Sequence, residues 1–349
     1  MPIAIAGMHR SGSSLITRLL NLCGLDLGPP DQLMPPAADN PEGFWESLAF
    51  SHVNDCILGQ LGGRWDLPPD PLPGWEVLPL LDPWREMAGG LPESLKLKSP
   101  WGWKDPRNSL TLPFWRSLWP DLKVIVCVRN PLEVANSLLQ RDQISLLASL
   151  KLWHEYYRRL LTSAADESIV ITHFDAFFVD PVAELSRLVE RLELPADAAR
   201  IHSATAAVMG ELRHSSLGFN ELAQAGVGDQ VLSLYRQLCD EGGPTVSRCL
   251  AQPRRPRSDY ANAVRLALEF DTQCREQQQR IVELEARLRF LGINRDEYKQ
   301  LAEELGLRAS EMASRLSARR HRYADQMADA FWKVARPLQI ATKTHERSK

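Results

Sequence analysis

The sequence predicts an α/β domain, a parallel sheet flanked by helices, followed by a long C-terminal helical or coiled-coil extension. Three observations point that way. Ile3 to Ala6 is a short apolar run typical of a buried parallel strand, and Leu15 to Leu22 repeats at helical spacing, so a strand-to-helix turn lies between them. Leu122 to Val128 is a second continuous apolar run, and Pro131 follows where proline commonly opens a helix. Beyond about residue 250, apolar side chains fall on alternating three- and four-residue steps.

The first turn, Gly7-Met8-His9-Arg10-Ser11-Gly12-Ser13-Ser14, has the composition of a phosphate cradle. Glycines permit close backbone approach, and the free N–H groups of the following helix carry the positive end of its dipole. Ser11, Ser13 and Ser14 add hydroxyls and Arg10 adds a full charge. Gly7 and Gly12 have Walker A spacing, which makes the expected sheet P-loop-type, but Ser13 stands where the Walker lysine belongs. That lysine reaches the β- and γ-phosphates, so the loop is poorly equipped for a nucleoside triphosphate and still suited to a single 5′-phosphate.

At 349 residues the chain exceeds the roughly 250 to 300 at which single cores stop growing, so a core plus an appendage is expected. The net charge of −3 hides an asymmetry: residues 250–349 hold 20 Lys/Arg against 14 Asp/Glu, a net +6, which leaves −9 for the rest. The expected parts are a nucleotide-binding domain over 1–249, a basic Pro-rich linker over 250–259, a coiled coil or helical hairpin over 260–330 and a basic tail over 331–349. The six cysteines are scattered without a C-x-x-C pair, which suits reduced thiols in a cytosol. No signal peptide, membrane span or metal-ligand cluster is visible, and neither a metal nor a nucleic-acid partner is expected.

Along the chain, a helical pattern runs from Ser47 through Val53 and Ile57, so Glu46 falls at its start. It is either a charge favoured by the helix dipole or a base placed over the first loop. His52 is a reserve on the same helix. Gly59 to Pro79, crowded with Gly, Pro and Trp, reads as a surface loop or lid whose tryptophans either stack on a sugar or pack on the body. Leu95 to Leu97 is a candidate short strand, with Lys104-Asp105-Pro106-Arg107 expected at a strand end, as a local ion pair or part of a site. Arg129 should project from the end of the second apolar strand, with Ser137 two turns into the next helix, so that the pair could clamp a second phosphate.

The loop from Gly7 to Ser14, Lys104 to Arg107, and Val128-Arg129-Asn130-Pro131 with Ser137 together resemble the P-loop-related sulfotransferase family, its bacterial and protein-tyrosine branches especially. The resemblance covers about residues 1 to 245. It implies that Arg10, Ser11, Gly12, Ser13 and Ser14 bind the 5′ side of 3′-phosphoadenosine 5′-phosphosulfate (PAPS), and that Arg129 and Ser137 bind its 3′-phosphate. Ile169 to Asp175 with the helix from Val182 to Leu192 is similar to the unit that closes the family's sheet, and Arg213-His214-Ser215 to its late nucleotide-contacting loop. The resemblance further implies Glu46 as general base and Lys104 as the cation at the bridging oxygen, with Asp105, Asp39 or His52 as other bases. The expected reaction is sulfuryl transfer to a hydroxyl of a carbohydrate or lipid-linked acceptor. The alternative is a P-loop or kinase-like module that uses ATP.

In the extension, Ala267, Phe270, Cys274, Ile281, Leu284, Leu305, Met312 and Leu316 belong to a heptad-like seam, which predicts a coiled-coil homodimer. Gly292 and Asn294 could instead turn it into a hairpin, and a docked amphipathic helix is the third alternative. The tail, with Phe331 and Trp332 among Lys and Arg, is either solvated or rests on an anionic membrane surface. A cytoplasmic protein, peripheral to the inner face of the membrane, is the corresponding expectation.

Overall fold

The computed structural model describes residues 1–37, 40, 43–163, 168–208, 217–251, 258–290, 299–319 and 322. Their chain divides into two compact units, one within Met1–Ala223 and Val227–Arg255, the other within Gln224–Gly226 and Pro256–Lys349.

The first unit is built on four parallel strands, β1 (Pro2–Ala6), β2 (Trp101–Lys104), β3 (Lys123–Val128) and β4 (Ile169–His173), in the spatial order β2-β1-β3-β4. Ile3 lies opposite Gly102 on one side and Lys123 on the other. Parallel strands need long crossovers, and helices supply them: α1 (Ser13–Leu22), α2 (Leu48–Gln60) and α3 (Asp82–Ser94) precede β2, and α4 (Asn108–Leu118) precedes β3. Between β3 and β4 run α5 (Pro131–Asp142) and α6 (Leu146–Thr162). After β4 come α7 (Ala176–Val179), α8 (Pro181–Leu192), α9 (Ala198–Thr205), α10 (Phe219–Gln224), α11 (Asp229–Glu241) and α12 (Pro244–Ala251).

Local chemistry sets several of these starts. Asn130 accepts from the Leu132 N–H at 3.0 Å with Pro131 in the first turn of α5, and Asp180 accepts from Ala183 at 3.0 Å ahead of Pro181 and α8. One face of the sheet packs Ile3, Ile5, Ile125 and Cys127 against Ile16, Leu19 and Leu20 of α1 and Leu185 and Leu188 of α8. Elsewhere in the unit Phe50 stacks on Trp103 at 4.5 Å, within a cluster that includes Trp101, Trp115 and Trp119. Two indoles of the cluster are paired: Asn54 Oδ1 accepts from Trp115 Nε1 at 2.8 Å, and Asn108 Oδ1 from Trp103 Nε1 at 3.0 Å.

The strand expected at Leu95 to Leu97 does not form. Leu95 closes α3 and Lys96 takes a positive φ of 53°, which an extended strand cannot contain. The strand is Trp101–Lys104 itself, and because alternate residues share a face, Trp101 and Trp103 both enter the aromatic cluster.

In the second unit α13 (Ser258–Phe290) is followed by a helical run over 299–319. The Arg319 guanidinium lies 5.7 Å from the centre of the Phe270 ring, so the second run lies beside the first, while Gly292 and Asn294 fall outside the described residues. Of the seam residues, Phe270, Cys274, Ile281 and Leu305 are half-buried, whereas Leu284 and Met312 are exposed. The tail over 331–349 lies outside the described residues. Among the described residues no helix is long and apolar enough to cross a membrane.

Candidate active site

The turn between β1 and α1 takes three left-handed residues in six: Gly7 at φ 139°, Arg10 at 68° and Gly12 at 78°. A Cβ on Gly7 would strike the Cys127 carbonyl, and one on Gly12 would strike the Phe174 ring, so both positions demand glycine twice over. Gly12 is the N-cap of α1 and, among the described residues, no side chain caps that helix, so its first N–H groups are available to an anion.

The loop is anchored from behind. Tyr157 on α6 donates to the Cys127 carbonyl at 2.5 Å, and its oxygen accepts from the Met8 N–H at 3.3 Å and the Ser11 hydroxyl at 2.9 Å. Burial pushes the Tyr157 phenol up, only partly offset by those hydrogen bonds, so it stays neutral. Gly7 N–H donates to Ser109 Oγ at 3.0 Å. The Ser11 hydroxyl therefore faces the interior, and Ser13 is buried as well.

Arg10 leaves the loop toward α5, where its Nε donates to Ser137 Oγ at 2.8 Å. Arg129, at the end of β3, donates from Nη1 to the Arg10 carbonyl at 3.3 Å, and its guanidinium sits 4.6 Å from the centre of the Phe174 ring. Arg10, Arg129 and Ser137 thus form one contiguous group, and Phe174 supports both the loop at Gly12 and the cation of Arg129.

On the other side of the loop Phe44 provides the junction. Its carbonyl accepts from Ser14 Oγ at 3.2 Å and from Lys104 Nζ at 3.3 Å. Asn40 Nδ2 donates to Ser14 Oγ at 3.3 Å and to the Gly43 carbonyl at 2.7 Å, which holds this segment over the start of α1. Lys104 Nζ, at the end of β2, is 2.5 Å from Glu46 Oε1, and the two residues are only 4% and 5% exposed. Arg107 Nη2 lies 3.6 Å from Glu46 Oε2, while the same guanidinium pairs with Asp105 at 2.9 Å and with Asp55. Burial disfavours the Arg107 cation, but Asp105, Asp55 and Glu46 outweigh it and hold its proton more tightly than usual. Glu46 lies two residues before α2, so its carboxylate serves the pair with Lys104 rather than a helix turn.

Several participants carry no motif in the sequence. Tyr157 lies on a helix read only from its fold, the Phe44 carbonyl has no side-chain signal, and Phe174 resembles any core aromatic. His9 packs against Trp65 at 4.4 Å and Tyr156 at 6.1 Å, and its Nε2 is covered without a hydrogen-bond partner among the described residues. Burial first, then Arg107, Arg141, Lys104 and Arg10, hold His9 well below its ordinary value of 6.5. His52 is exposed, at 5.8 Å from the Trp84 ring. Arg213 and Asp39 lie outside the described residues. Among the described residues no group of three or more His, Cys, Asp or Glu side chains is placed to hold a metal ion.

A family profile described as "Sulfotransferase family" matches residues 2–198. Among solved structures, similarity is found to the sulfotransferase STF1 from Mycobacterium tuberculosis, 14% identical, covering 68% of this chain and 75% of that one at a TM-score of 0.37. It is also found to STF9 from Mycobacterium avium, 16% identical over 72% and 75% at 0.37. A sulfotransferase from Alicyclobacillus acidocaldarius is 16% identical over 72% and 96% at 0.35. No curated protein sequence matches the chain.

Proposed function

This chain belongs to the sulfotransferase family, and from that premise we propose that it moves a sulfuryl group from PAPS to a hydroxyl of a carbohydrate or lipid-linked acceptor. The observation that carries the proposal is the Phe44 carbonyl, which joins Ser14 of the anion loop to Lys104, itself paired with Glu46. An anion cradle, a buried cation and a carboxylate thereby meet at one edge of the sheet, where transfer from an anionic donor to a neutral hydroxyl needs them.

The residues present fit an adenylate with phosphates at both ends. The uncapped start of α1, together with Ser14 and Arg10, suits the 5′ side, and Arg129 with Ser137 suits the 3′-phosphate. Ser11 and Ser13, with side chains turned inward, would contribute through their backbone. Ser13 in the place of the Walker lysine argues against a nucleoside triphosphate. PAPS supplies the activated sulfuryl group and leaves as adenosine 3′,5′-bisphosphate.

The protein's own part is positioning and charge, as in phosphoryl transfer. Glu46 takes the proton of the acceptor hydroxyl, and Lys104, freed from that carboxylate as it is protonated, neutralises negative charge growing on the bridging oxygen. Arg107, locked to Asp105 and Asp55, remains as the fixed counter-charge of the pair. Support for a sugar acceptor comes from Trp65, a half-buried indole set against His9 of the loop and held through its carbonyl by Tyr156 at 2.8 Å.

Thermal-shift titration tests the nucleotide class: adenosine 3′,5′-bisphosphate should raise the melting temperature, and ATP with magnesium should not. Arg129→Ala should weaken the bisphosphate about tenfold or more, the worth of a charged hydrogen bond. Equal affinity in variant and parent would remove the clamp. For the second unit we propose a homodimer through Val282, Leu284, Leu307 and Met312, apolar side chains that are exposed in the single chain, which light scattering would test.

A further inference from the structure

A fully buried carboxylate beside an anion clamp needs an explanation, because its charge opposes the ligand. Glu133, on the first turn of α5, is such a group: its side chain has no exposed surface, and Oε2 accepts from Arg129 Nε at 2.8 Å. The other oxygen, Oε1, accepts from the Leu217 N–H at 2.7 Å. Asn130, three residues earlier, donates to the Leu217 carbonyl at 3.0 Å. One turn of α5 therefore grips both polar groups of Leu217, and the same carboxylate fixes Arg129.

We propose that Glu133 is the positioning residue of the 3′-phosphate clamp, orienting Arg129 by a bond to Nε and tying that orientation to the main chain at Leu217. The proposal rests on the PAPS reading above. With Nε held by Glu133 and Nη1 by the Arg10 carbonyl, Nη2 is the guanidinium edge without a bond among the described residues. A guanidinium pinned at two corners and laid over Phe174 presents its remaining edge in one direction. Losing Glu133 relieves a repulsion but releases the fork, so the two effects of the carboxylate predict opposite signs. If charge were its only effect, Glu133→Gln would tighten the bisphosphate. Positioning predicts that it loosens, because an amide has one acceptor oxygen and either Arg129 Nε or the Leu217 N–H then faces its donor.

The experiment is calorimetric titration of the full chain with adenosine 3′,5′-bisphosphate and with adenosine 5′-monophosphate, in the parent, Glu133→Gln and Glu133→Asp. The aspartate keeps the charge and withdraws it by one methylene, so it is the variant to read if the glutamine does not fold. The expected result is a loss of about tenfold or more in the preference for the bisphosphate, with monophosphate affinity held within about twofold. General damage to the fold would lower both affinities together. A folded variant of either kind with the parental preference, or with a stronger one, overturns the proposal. A parent without any preference overturns the PAPS reading itself, and the proposal with it.

Discussion

Replacing Glu46 with glutamine separates the chemistry of the candidate site from its stability. The amide oxygen still accepts from Lys104, so packing is kept and only charge and basicity are lost. Arg107 retains Asp105 at 2.9 Å and Asp55, whereas Lys104 is left with the Phe44 carbonyl at 3.3 Å and the new amide. At 4% exposure the ammonium becomes a buried cation without its anion, and breaking a buried pair from one side costs about 3 kcal/mol or more. For a domain of this size that is a fall in Tm of roughly 6–12 °C. A general base contributes about 10² to 10⁴ in rate, so single-turnover transfer from PAPS should fall at least tenfold beyond any loss of folded protein. Differential scanning fluorimetry and single-turnover assays read the two effects, and bisphosphate affinity should stay within about threefold. The double variant Glu46→Leu with Lys104→Met should recover most of the lost stability, because a matched apolar pair leaves no buried charge, and should not recover turnover. A folded Glu46→Gln protein with parental turnover would refute Glu46 as the base and move that role to Asp105.

Tyr157→Phe should cost about 3 kcal/mol in urea denaturation, since Met8 N–H, the Ser11 hydroxyl and the Cys127 carbonyl each lose a buried partner. A loss below about 0.5 kcal/mol would show that the loop holds its shape without this anchor. His9 gives a pH signature. Its folded value lies well below 6.5, so the unfolded chain binds the extra proton, and the contribution of His9 is present above about pH 6.5 and lost as the pH falls. His9→Gln should flatten the stability curve below pH 6.5 by up to about 1.4 kcal/mol per pH unit relative to the parent. Parallel curves for the two proteins between pH 4.5 and 7 would contradict this.

Local pattern in the sequence carries most of the fold and several members of the candidate site. Ile3 to Ala6 and Leu122 to Val128 become the strands β1 and β3, Pro131 marks the start of α5, and Ile169 to Asp175, expected from the family resemblance, holds β4. Arg10, Arg129, Ser137, Glu46 and Lys104 are charges or hydroxyls at or near the ends of predicted elements. What stayed hidden depends on tertiary geometry. Leu95 to Leu97 is apolar enough for a strand, but α3 closes at Leu95 and the chain turns at Lys96 with a positive φ. Trp101 and Trp103 lie just before Lys104 and Asp105 in sequence without a signal for their place, and they line an aromatic core because that face of β2 meets Phe50. Tyr157 reaches the loop from 146 residues away, a distance no spacing rule spans. Glu133, four residues before Ser137, could have been flagged as a carboxylate on the same helix, but only the bond to Leu217 shows what it does.

The order β2-β1-β3-β4 has a consequence for the birth of the protein. β1 is made before both of its neighbours, so Ile3 must wait for Gly102 on one side and Lys123 on the other. At typical synthesis rates that delay is on the order of ten seconds, during which Ile3, Ile5, Ile16 and Leu19 have no sheet to rest on. Phe174 and Tyr157, which brace the loop between β1 and α1, arrive later still. Apolar residues whose partner strands are made late stay uncovered during synthesis, the circumstance in which aggregation competes with folding.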